Sequence, residues 1–120
     1  METELFAAFV ARWQDADVID DYQFGLSIVQ ELARVPKTAL VMIRPGSSLI
    51  TRVLAFQRER TRQMYQASFP EMGPDDLAYA RVFIEEGTVS VIRAWIEAGF
   101  PQSPEHIAVV LDQLACRMQR

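Results

Sequence analysis

Residues 75–99 read DDLAYARVFIEEGTVSVIRAWIEAG. At helical spacing, Ala80, Phe83, Ile84, Gly87, Val91, Ala94, Trp95 and Ala98 fall in one wide apolar stripe, and Ala78, Val82, Val89, Ile92 and Ile96 fall in a second. Only a narrow wedge carrying Glu86, Arg93 and Glu97 is built for water. One helix with two apolar faces exceeds what a single small core covers. The second stripe is therefore expected to meet either more chain or a second copy.

Outward from this helix, every signal stays helical. Phe69-Pro70-Glu71-Met72-Gly73-Pro74 is a linker dense in breakers, after which Asp75 is expected to cap the helix and Gly99 to close it in the left-handed region. Downstream, Ser103 caps and Pro104 enters a last helix through Ile107, Val110, Leu111, Leu114 and Met118. Upstream, Ser47 caps a long helix to about Ser68, with Leu49, Ile50, Val53 and Leu54 available for burial. Pro36 is placed to start a short helix through Ala39, Leu40 and Ile43. A helix opening near Asp20 buries Phe24, Ile28, Val29 and Leu32, and Leu5, Phe6, Phe9, Val10 and Trp13 mark another from about Thr3 to Asp15. The pattern predicts one all-α domain over residues 1–120, a bundle of about five to six helices. Its last two long helices are both over-apolar for a single core.

Composition narrows the function. The chain has 120 residues, 50% hydrophobic and 23% charged, which suits one globular core. No run reaches the ~20 apolar residues of a membrane span, and Met1-Glu2-Thr3-Glu4 lacks the basic start of a signal peptide. A single cysteine, Cys116, forms no internal disulfide and suits a reducing compartment, so a cytoplasmic protein without membrane contact is expected. Sixteen acidic residues against twelve basic give a net charge of -4 and no basic field for a phosphate backbone.

No catalytic constellation assembles either. His106, the one histidine, sits in the first turn of the last helix with no nucleophile beside it in sequence. Glu85 and Glu86 point about 100° apart on a helix and make no working carboxylate pair. Asp15, Asp17, Asp20 and Asp21 lack the glycine and distal glutamate of a calcium loop. Arg58, Arg60 and Arg62 fan around their helix, as a solvated surface does. No enzyme, metal site or cofactor is expected.

The closing third carries a resemblance. Glu86-Gly87, Trp95-Ile96-Glu97-Ala98-Gly99-Phe100 and Ser103-Pro104-Glu105-His106-Ile107 resemble the end of the regulatory domain of TetR-type transcriptional repressors. There a long helix with a glycine, a tryptophan and a closing glycine precedes a capped terminal helix. The segment from Leu32 through Pro36 to Ile43 is similar to a helix break in the same domains. The resemblance implies an all-helical domain that binds a small-molecule effector and pairs as a homodimer, its last two long helices forming a dimeric four-helix interface with the partner copy. Such repressors also carry a helix-turn-helix reader of roughly fifty residues. No segment before Tyr22 has the room for it, so DNA would be met only through a module outside this chain.

The expected dimer interface comprises Val82, Gly87, Val89, Ile92, Trp95 and Ile96 with Ile107, Val110 and Leu114. A charge at Ile92 or Ile96 is then expected to break the assembly and spare the helices. The competing reading makes both helices ordinary core elements of a monomer. TetR-type pockets share no fixed residues, so the pocket is assigned by chemistry instead. Trp13, Tyr22, Phe24, Phe56, Met64, Tyr65 and Phe83 are the aromatic and thioether candidates. The alternative function is a stand-alone helical interaction module that forms mixed dimers with a full-length regulator.

Overall fold

The computed structural model describes residues 2–14, 21–44 and 47–118, and within these spans the side chains of 2, 3, 14, 21, 48, 57, 59–61, 63, 64 and 115–118 lie outside the description. Among the described residues there are six α-helices and no strand: α1 (Glu2–Gln14), α2 (Asp21–Ala33), α3 (Ala39–Met42), α4 (Ser48–Ser68), α5 (Pro74–Glu97) and α6 (Pro104–Met118). The all-α bundle predicted from periodicity is the fold observed. No helix among the described residues is long and apolar enough to cross a membrane. The helix start expected near Asp20 and the helix end expected near Asp15 fall outside the described residues, as does the Cys116 side chain.

The helix ends follow local chemistry. Ser47 Oγ accepts from Ile50 N–H at 3.1 Å and starts α4, and Ser103 Oγ accepts from His106 N–H at 3.1 Å and starts α6. At α5 the expected cap is displaced. Gly73 is the N-cap and Pro74 the first helical residue, which leaves Asp75 and Asp76 inside the first turn. There their charges still favour the positive helix end. Similarly, Pro36 lies in a turn, and the short helix begins only after Thr38.

The stop of α5 explains the Trp95-to-Phe100 motif. Gly99 and Phe100 both take left-handed backbones, with φ of 88° and 58°. Phe100 N–H donates to Trp95 O at 3.1 Å and Gly99 N–H to Ile96 O at 3.0 Å, the paired closing bonds of a Schellman stop. The Phe100 ring meets the Trp95 ring edge-to-face at 4.9 Å, and Trp95 Nε1 donates to Gln102 O at 2.9 Å. The left-handed phenylalanine costs about 1 to 3 kcal/mol, offset by these contacts. One tryptophan thus ends a helix and latches the linker to the next.

The core is continuous across the bundle. α2 runs along α6 in the most extensive helix contact, α1 crosses α2 and α4, and α5 touches α3, α4 and α6. At one end, Trp13 is the hub of an aromatic cluster, with its ring centroid 4.6 Å from Phe56, 4.7 Å from Phe24 and 5.6 Å from Phe9. Its Nε1 donates to Ser27 Oγ at 2.9 Å, and that hydroxyl donates to Phe24 O at 2.7 Å. Both polar atoms of this buried site are therefore satisfied. Around it, Arg12 pairs with Glu31 at 3.4 Å and donates to Gln30 Oε1 at 2.7 Å, tying α1 to α2.

Gln30 extends the chain of contacts to α6. Its Nε2 donates to Glu105 Oε1 at 3.2 Å. The Glu105 carboxyl titrates below its ordinary value, held there first by a backbone hydrogen bond and then by the Gln30 amide. A carboxyl lowered by folding adds stability above its unfolded pKa and loses it as pH falls through the folded one. Gln30→Ala is predicted to move the Glu105 midpoint upward in an NMR titration. An unmoved midpoint would assign the whole effect to the helix start.

Candidate functional site

The stripe of α5 that carries Ile84, Glu85, Thr88, Val89 and Ile92 faces inward, because these positions recur every three or four residues on one side of the helix. Opposite it, α2 contributes Phe24, Gly25, Ile28 and Leu32, and α4 contributes Leu49, Ile50, Val53, Leu54 and Tyr65. The surfaces do not close. They leave a partly open cavity of about 120 Å³, completed by Phe9, Ile43, Leu111 and Asp112, whose walls are mostly apolar. An apolar cavity of about 150 Å³ is large enough to hold one benzene. At about 120 Å³ and partly open, this one is somewhat smaller and takes at most a single small ring.

Two carboxylates interrupt the apolar walls: Glu85 from α5 and Asp112 from α6. Glu85 is 7% exposed, unusual for a charged residue, and its partner is Arg58 of α4, with Nη2 3.6 Å from Oε2. That separation exceeds the 2.7 to 3.2 Å typical of a direct hydrogen bond, so the pair is ionic without being tightly bonded. Arg58 itself does not line the cavity. Thr88 Oγ1 donates to Ile84 O at 2.8 Å, which commits its proton to the helix and leaves only lone pairs for the cavity.

Of the expected pocket residues, the structure brings Phe24 and Tyr65 to the cavity wall. Trp13 and Phe56 stack within the aromatic core instead, and Tyr22 packs partly buried against that core. Phe83 lies on the opposite side of α5 and is 63% exposed. The side chain of Met64 lies outside the described residues. Glu85 and Asp112 were not anticipated. The available signal was Glu85 standing seven residues before Ile92 and eleven before Ile96, a charge set within an apolar stripe.

The expected partner surface is divided by the fold. Ile92, Trp95, Ile96 and Ile107 are buried in the chain's own core, Gly87, Val89 and Val110 are half-buried, and Val82 and Leu114 are exposed. A partner could reach the buried four only if they left that core. Outward from α5 stand Tyr79 at 75% and Val82 at 49% exposure with Phe83 beside them, and α6 adds Val109 and Leu114. His106 is exposed, and no group of three or more metal-ligating side chains occurs among the described residues. No protein-family model, curated protein or solved structure matches the chain.

Proposed function

We propose that this chain is the effector-binding and self-pairing domain of a TetR-like transcriptional regulator, acting in the cytoplasm. The observation that carries the reading is the apolar cavity of about 120 Å³ between α2, α4, α5 and α6, with two carboxylates in its wall. Small-molecule sites combine an apolar concavity with a few convergent polar groups in this way. The regulator class rests on the motifs Glu86-Gly87, Trp95 to Phe100 and Ser103 to Ile107.

Self-pairing uses the outer faces of α5 and α6. Tyr79, Val82 and Phe83 occupy one exposed stripe, since 79, 82, 83, 86 and 90 repeat at helical spacing, and Val109 and Leu114 stand exposed on α6. A large apolar patch on a small domain marks an interface. A ligand between α2 and α5 shifts the pairing of two copies only by its differential affinity for two helix arrangements. DNA is contacted through a separate reader.

The test has two parts. Benzene, as a neutral probe, is expected to raise the thermal midpoint of the chain by several degrees near saturation, since a ligand at a hundred times its Kd stabilises by about 2.7 kcal/mol. Light scattering at micromolar concentration is expected to give the mass of two chains. No stabilisation by benzene together with a monomer mass would overturn the reading.

A further inference from the structure

We propose that the occupant of this cavity is a small lipophilic monocation, a primary amine carrying one ring, with its ammonium held between Glu85 and Asp112. The inference rests on the effector-binding reading and adds the charge and size of the ligand. Size follows from volume. At about 120 Å³ the cavity is well below the roughly 300 to 1,000 Å³ of drug-sized sites, so it takes one ring with a short arm.

Charge follows from the wall. Among the described residues no lysine, arginine or histidine lines the cavity, whereas two carboxylates do, one from α5 and one from α6. Glu85 is more than nine-tenths buried, and among the described residues its one ion pair, to Arg58, is 3.6 Å long and on one oxygen. A buried carboxylate without close donors is costly, and an ammonium arriving from the cavity supplies them. With Glu85, Asp112 and Arg58 counted at their formal charges, the site carries one excess negative charge, which a monocation neutralises.

The competing attraction is for an anion. Arg58 stands behind Glu85 with its side chain 48% exposed, and Arg81, one turn before Glu85 on α5, has a buried Nε without a hydrogen-bond partner. Neither arginine lines the cavity, whereas both carboxylates do. Solvent on Arg58 also screens its pull on a buried ligand.

Calorimetric titration of the full chain with benzylamine, toluene and benzoate separates these cases. Benzylamine is expected to bind at least tenfold more tightly than toluene, and benzoate more weakly than either. Glu85→Gln and Asp112→Asn are each expected to remove most of the preference for the amine while leaving toluene affinity within about twofold. Should Glu85→Gln fail to fold by circular dichroism, Asp112→Asn carries the comparison, and the three wild-type affinities stand without either variant. Equal binding of benzylamine and toluene, or tighter binding of benzoate, overturns the cation assignment and leaves the effector-binding reading intact. No binding of any of the three overturns both.

Discussion

Trp13→Ala is expected to cost about 3 to 5 kcal/mol of folding stability, the range for removing a fully packed large aromatic side chain. The reason is local density. Trp13 is 4% exposed and stacks on Phe9, Phe24 and Phe56, so its removal leaves a hole between three helices that rigid rings fill poorly. It also strands Ser27 Oγ, which loses its indole donor. Domains of this size have about 5 to 15 kcal/mol in total, so the variant should lose most of its margin in urea denaturation followed by far-ultraviolet circular dichroism. Trp13→Phe keeps the stacking and gives up the hydrogen bond, and should cost about 1 to 2 kcal/mol more than a neutral surface change. Equal and small losses for both variants would show that the aromatic cluster contributes little.

Ile96→Asp and Phe83→Asp are expected to separate two properties that lie on opposite sides of one helix. Ile96 is 6% exposed, and an aspartate there is an uncompensated buried charge, costing on the order of 3 to 5 kcal/mol. Helix content should therefore fall. Phe83 is largely exposed, so the same substitution should leave helix content and melting of the single chain nearly unchanged. It should instead reduce the scattering mass from two chains to one, because a charge opposes burial of the outer stripe. This replaces the expectation that a charge at Ile96 or Ile92 touches assembly alone, since both side chains lie within the chain's own core. A Phe83→Asp variant that scatters with the wild-type mass would place any self-contact elsewhere.

Much of the architecture could be read from local chemistry. Ser47 and Ser103 announce helix starts because a hydroxyl beside the first turn satisfies backbone donors whatever the rest of the chain does. Gly99 announces a stop because the left-handed backbone disfavours a Cβ, and Phe100 tolerates it only against Trp95. The displaced cap at Gly73 shows the limit of such reasoning. Asp75 is the better capping residue, yet Pro74 is well suited to the first helical position and moves the boundary back by two residues.

The candidate site was less accessible. Phe24 and Tyr65 reach the cavity while Trp13 and Phe56 do not, though all four are aromatic residues at helical spacing. Spacing tells which side of a helix is apolar, and a packed wall and an empty one demand the same side chains. The 100° offset between Glu85 and Glu86 puts them on different faces, but the offset does not say which of the two turns into the bundle.

The sequence by itself determined an all-helical bundle of about five to six helices, most of their ends and the surplus of apolar surface on α5, since these depend on contacts within a few residues. Tertiary structure alone decided which apolar stripe of α5 turns inward, that Arg58 of α4 meets Glu85 of α5, and that the helices leave a cavity between them. Those outcomes depend on the distance and rotation between helices far apart in the chain, and a periodic pattern carries no information about either.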